Sequence, residues 1–172
     1  MNFSADGERA HALKCELASE VLRSSGKLRL CVTGWSMLPT IWPGDTLVVE
    51  RVGRDQIEAG NVVLVERAGK LRAHRVVSVA GNSANRHWTT QGDSMLAPDQ
   101  PVSESELLGR VAYRISAGKL FPVPAELSTA ERLTAKIVSR SVAAARTLVY
   151  LHRMVQSPEK AAPEKSVLPC QG

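Results

Sequence analysis

With 172 residues, 44% of them hydrophobic and 23% charged, the chain has the length and composition for one globular domain, which excludes two ordinary domains or a mostly disordered polymer. Its charge is uneven: residues 1–109 hold 12 Lys/Arg against 13 Asp/Glu, while residues 110–172 hold 10 against 4. A basic C-terminal third on a near-neutral body suits an acidic partner or an anionic membrane surface, and no aromatics are interleaved with the charges as a nucleic-acid surface requires.

Residues 8–25 form a predicted amphipathic helix, with Ala10, Leu13, Leu17, Val21 and Leu22 near helical spacing and Ser24-Ser25-Gly26 ending it. From Leu28 the texture changes to short β-branched runs. Six strands are predicted: Leu28–Thr33, Thr46–Val52, Asn61–Glu66, Leu71–Ala80, Trp88–Gln91 and Gly109–Ile115. Pro43-Gly44-Asp45 precedes the second, and Ala68-Gly69-Lys70 joins the third and fourth as a hairpin. The expected fold is mainly β, a compact antiparallel domain over residues 28–123 behind an N-terminal helical segment at 1–27.

Beyond Pro124, Ser128 and Glu131 form a capping box that opens one long basic helix over residues 124–156. Arg132, Lys136 and Arg140 recur on one face, and Leu133, Ile137, Val142, Leu148 and Leu151 on another. Residues 157–172, rich in Pro, Lys, Glu and Ala, read as a disordered tail. Cys15, Cys31 and Cys170 are odd in number and lack metal-type spacing, so no metal or other cofactor is expected. Cys15 and Cys31 read as small core side chains in a reducing compartment. No window reaches the roughly 20 apolar residues of a membrane-spanning helix, and residues 1–27 lack the apolar run of a signal peptide. A cytoplasmic location is therefore expected.

The stretch richest in chemistry is Thr33-Gly34-Trp35-Ser36-Met37-Leu38-Pro39-Thr40, followed by Gly44-Asp45. A serine hydroxyl is a weak nucleophile unless a base takes its proton as it attacks. Gly34 lets the chain turn closely before Ser36 and Pro39 stiffens the exit, holding the hydroxyl on an exposed bend. Backbone N–H groups at such a bend are placed to stabilise an oxyanion. A lone Gly-x-Ser is ordinarily a plain turn; here more of the stretch carries meaning.

Gly34, Ser36, Met37, Pro39, Thr40, Gly44 and Asp45 fall in register with the nucleophile box of signal peptidases and LexA-like self-cleaving proteins, which this stretch resembles. The resemblance extends over residues 28–115. It implies Ser36 as nucleophile with Met37 packed beneath it. Relatives use either a lysine base or a histidine within His-Arg-Val, and Ala73-His74-Arg75-Val76 resembles the histidine branch. A histidine accepts a proton near neutral pH with little tuning, whereas a turn lysine such as Lys70 stays charged in water.

The branch also supplies an acid to orient the base, from a stretch similar to Thr90-Gln91-Gly92-Asp93 with a second acid at Asp99; Gln91 stands where relatives carry lysine. Resemblance puts Asp99 ahead of Asp93 for that role. The oxyanion site is expected at the backbone around Trp35 and Ser36 with the Thr33 hydroxyl, and Trp35, an aromatic beside the nucleophile, is expected also to line the substrate groove. His11, His87 and His152 have no motif and read as surface residues.

The implied activity is that of a serine endopeptidase acting on a protein or peptide bound in extended form. The alternative is a silent peptide-binding module on the same fold. With only 27 residues before the first strand, a self-cleaving repressor is not expected. Arg132, Lys136 and Arg140 are expected to offer peripheral contact with the inner face of an anionic membrane.

Overall fold

Short β-branched runs bounded by Gly and Pro turns pair into one sheet, and the helices pack on it. The computed structural model describes residues 3–82 and 85–156, so the tail expected at 157–172 lies outside the described residues. Helix α1 (Phe3–Ser25) leads into β1 (Lys27–Cys31), β2 (Thr46–Glu50), β3 (Val62–Arg67), β4 (Lys70–Ala80) and β5 (His87–Gln91). Then come β6 (Leu107–Ser116), β7 (Lys119–Pro122), α2 (Thr129–Arg140) and α3 (Val142–Gln156). All pairings are antiparallel, in the order β1–β2–β6–β3–β4–β5 with β7 beside β6. Strand β6 organises the sheet. It pairs with β2 on one edge, while β3 and β7 occupy successive parts of the other.

The six expected strands are present with ends shifted by two residues or fewer. Strand β7 was not anticipated; it is exposed along its length and ends at Pro122, which an edge strand tolerates. Two-residue turns at Ala68-Gly69 and Ala117-Gly118, with φ of 52° and 69° and of 48° and 75°, close the β3–β4 and β6–β7 hairpins. Strand β3 reads as an unbroken apolar run because both its faces are covered. Val62 and Leu64 join Leu22, Met37, Ile41, Leu47, Val49 and Val111, whereas Val63 and Val65 join Ile57, Val76, Trp88, Val102 and Leu107.

The helices differ from expectation. On α1 the buried stripe is Cys15, Ala18 and Leu22, while Leu13, Leu17 and Val21 face solvent. The predicted single C-terminal helix is two. Ser141, at φ −145° and ψ 112°, ends α2, and its hydroxyl accepts the Ala144 amide at 3.2 Å to open α3. Leu133, Ile137 and Leu151 are exposed; the packed side chains are Val138, Ala145, Leu148 and Val149. They cover Leu38 and Trp42, in the segment that follows Ser36. His152 is not a free surface histidine: its ring stacks on Trp42 with centroids 3.7 Å apart. Cys31 is half-buried and disulfide-bonded, so it is not the free core thiol expected, whereas Cys15 is a buried free thiol.

Candidate active site

Ser36 lies five residues beyond β1, in a turn locked from two sides. From its own segment, Leu38 N–H donates to Trp35 O and Ile41 N–H to Met37 O, at 3.1 and 2.9 Å. Met37 and Leu38 are buried, which anchors the turn in the core. From the β5–β6 loop, Ser94 donates its amide to Ser36 O and its hydroxyl to Trp35 O, both at 3.0 Å. Gly92 permits that approach: a Cβ there would stand 2.6 Å from Ser36 O. At the far end Asp45 accepts the Trp42 amide at 2.9 Å and Arg114 at 3.3 Å, while Val32 N–H donates to Asp45 O at 2.8 Å. These contacts hold the serine box as a rigid bend.

His74 is buried on β4, on the sheet face that carries Val63, Val76 and Trp88. Its Nε2 lies 3.0 Å from Ser36 Oγ and its Nδ1 lies 2.6 Å from Asp99 Oδ2. The same carboxylate oxygen accepts the Thr90 hydroxyl at 2.8 Å, and the Asp99 amide donates to Thr90 O at 2.7 Å. A carboxylate on Nδ1 fixes that nitrogen as the donor. Nε2 is left to accept from the serine, the orientation a general base needs.

Asp93 is not in this line. Its side chain is buried and accepts Arg75 in a two-pronged ion pair, Nε to Oδ1 at 2.8 Å and a terminal nitrogen to Oδ2 at 2.9 Å, with the Thr40 hydroxyl at 2.5 Å. Arg75 spends its other nitrogen on the carbonyls of Gly60, Pro124 and Ala125 at 2.9, 2.6 and 3.1 Å. This network ties the serine turn, the β5–β6 loop and the approach to α2 to one guanidinium.

Of the other residues singled out from sequence, Trp35 is 42% exposed beside Ser36, and Thr33 is exposed with no side-chain hydrogen bond among the described residues. The amides of Trp35, Ser36 and Met37 donate to nothing among the described residues. Lys70 is exposed and opens β4, paired with Arg67, rather than lying in the turn. Sequence reasoning missed Thr90, Thr40 and Ser94 as supports; the first two sit within the quoted motifs, and Ser94 shows its role only through the fold. Among the described residues no three metal-ligating side chains converge.

The sequence matches the family described as Peptidase S24-like over residues 4–87, a span that includes Ser36 and His74 and stops before Asp93 and Asp99. No curated protein matches the chain. That match, with the antiparallel sheet that presents this box, supports the signal-peptidase/LexA-like serine peptidase superfamily.

Proposed function

We propose that the protein is a serine endopeptidase using Ser36, His74 and Asp99. Ser36 Oγ attacks the scissile carbonyl as His74 Nε2 takes its proton; Asp99 holds Nδ1–H and stabilises the imidazolium. The unpaired amides around Ser36 receive the oxyanion, a role that Thr33 is near enough in sequence to assist. The imidazolium returns the proton to the leaving amine, and water attacks the acyl-serine through the same base. Asp93 supports the turn through Arg75 rather than touching the base. The observation that carries this reading is the continuous bond line Asp99–His74–Ser36, at 2.6 and 3.0 Å.

An extended protein or peptide substrate is supported by two stretches of main chain with unpaired groups beside that line. Residues 70–74 pair only with β3, since β5 ends at Gln91 opposite Arg75, and the amides of Thr33, Gly34 and Trp35 donate to nothing among the described residues. A bound strand adds to such edges. The same edges would serve a module that binds without cleaving, so the deciding experiment reads chemistry. A fluorophosphonate probe is expected to modify Ser36 in the wild type and to do so far more slowly in His74→Ala. Equal labelling of wild type and Ser36→Ala would sink the catalytic reading.

Among the described residues no helix is long and apolar enough to cross a membrane. We propose peripheral contact with an anionic membrane through α2, where exposed Leu133 and Ile137 neighbour Arg132, Lys136 and Arg140. Salt-sensitive flotation with phosphatidylglycerol vesicles, lost when the three cations are replaced by Gln, is the expected result. Flotation absent from the wild type contradicts it.

A further inference from the structure

Arg67, the last residue of β3, is outside the bond line above yet is bound to the loop that carries Asp99. Its Nε and one terminal nitrogen grip Glu106 at 2.5 and 3.0 Å. Its terminal nitrogens also donate to the carbonyls of Gln100 and Pro101, at 3.1 and 2.7 Å. Those two residues follow Asp99 directly. Glu106 in turn accepts the amide and the hydroxyl of Ser103, both at 2.8 Å, and Glu66 N–H donates to Glu106 O at 2.8 Å. One planar fork therefore ties the start and end of the 99–106 segment to the rigid edge of β3.

This segment needs a tie. Among the described residues Asp99 itself is held only through Thr90 and His74, and the next ladder contact is the pair of hydrogen bonds between Val102 and Trp88, at 3.1 and 2.7 Å. Between them, among the described residues, Gln100 and Pro101 have no other partner for their carbonyls. Paired with Arg67, the Glu106 carboxyl is held down at about 2, so the clamp stays ionised through the neutral range. Arg67 also lines the small cleft shared with Arg72, His74, Thr90 and Asp99.

We infer that Arg67 is a positioning residue: through Glu106 and the carbonyls of Gln100 and Pro101 it sets Asp99 against His74 Nδ1. The inference rests on the Ser36–His74–Asp99 reading for its catalytic meaning, but its geometry can be tested without catalysis. A carboxylate seated on Nδ1 holds its proton in a short charge-assisted hydrogen bond, so letting Asp99 drift weakens that bond and moves the Nδ1–H signal upfield. A cation acting only through its field leaves that bond in place. Lysine keeps the charge and loses the fork.

The experiment follows the Nδ1 proton of His74 by NMR in wild type, Arg67→Lys, Arg67→Gln and Asp99→Asn, with Arg72→Gln as a control for charge in the same cleft. Both Arg67 variants should move the downfield Nδ1–H signal of a carboxylate-bound imidazole upfield, toward that of Asp99→Asn, whereas Arg72→Gln should keep it in place. Ser36 labelling should slow by about 10-fold or more in both Arg67 variants. Should they fail to fold, Glu106→Gln keeps Arg67 and is expected to move the signal the same way by less. An Nδ1–H signal in Arg67→Lys or Arg67→Gln equal to wild type, or no change in Glu106→Gln, overturns the assignment. If Ser36 proves unreactive in every form, the peptidase reading fails while the Nδ1–H signal still decides the role of Arg67.

Discussion

His74 and Arg75 are consecutive on β4 and take different aspartates: His74 Nδ1 meets Asp99 at 2.6 Å and Arg75 Nε meets Asp93 at 2.8 Å. Alternation along the strand separates them. His74 lies with Val63 and Val65 on one face, Arg75 with Val62 and Leu64 on the other. Two acids six residues apart thus serve chemistry and architecture separately.

Exchanging each acid for its amide should separate those roles. Asp99→Asn leaves the fold intact and slows Ser36 acylation by about 10³-fold or more, because the wrong tautomer is favoured. Asp93→Asn strands a buried guanidinium and costs about 3 kcal/mol of stability. Thermal melts beside labelling rates check the pair. Equal melting temperatures for the two variants would refute the division.

That division was only partly legible in the sequence. The serine box could be read because Gly34, Pro39 and Gly44-Asp45 punctuate a β-branched texture, and turn chemistry is local. Which acid faces His74 depends on the path of the 92–106 loop, which spacing alone does not dictate. The break at Ser141 was invisible for a similar reason: helix-forming residues flank it, and its hydroxyl reveals a cap only once the chain has turned. On α1 Leu13, Leu17 and Val21 lie on a face that solvent occupies, while the small side chains Cys15 and Ala18 complete the buried stripe with Leu22. The stack of His152 on Trp42 joins residues 110 apart and has no local signal.

Gly92 allows a test of the loop's grip on the nucleophile. A methyl group there would meet Ser36 O at 2.6 Å and Ser36 Cβ at 3.0 Å, so Gly92→Ala must push the serine turn away. A loss of about 1–3 kcal/mol in stability is expected from this overpacking, with Ser36 labelling reduced further than the melting temperature alone explains. Unchanged labelling would show that the turn absorbs the methyl without moving Ser36.

His152 makes stability depend on pH. Burial disfavours its charged form and lowers its pKa; Asp45 opposes that shift and Arg114 adds to it. Its Nε2 is buried without a hydrogen-bond partner among the described residues. As pH falls through the ordinary histidine value of about 6.5, the unfolded chain takes up a proton before the folded one does. The stabilising difference is therefore full above that pH and declines below it. Melting temperature should fall on acidification through this range, and His152→Phe, which keeps a ring on Trp42, should flatten the slope. Parallel slopes would contradict the assignment.

Ala68 occupies a left-handed position at φ 52° in the β3–β4 turn. Asparagine tolerates that region better than alanine, and Asn-Gly is the preferred pair for this hairpin. Ala68→Asn should raise stability by about 0.5–1 kcal/mol without altering Ser36 reactivity, as read from denaturant midpoints. A lowered midpoint would mean that the turn strains some other contact.

The central claim, that Ser36 cleaves peptide bonds with His74 as its base, is tested most directly by digesting a proteome-derived peptide library with purified protein. New termini are read by mass spectrometry in wild type, Ser36→Ala and His74→Ala. The predicted result is a set of recurrent cleavage sites present with the wild type and absent with both variants. The contradicting result is an identical set of termini in wild type and Ser36→Ala.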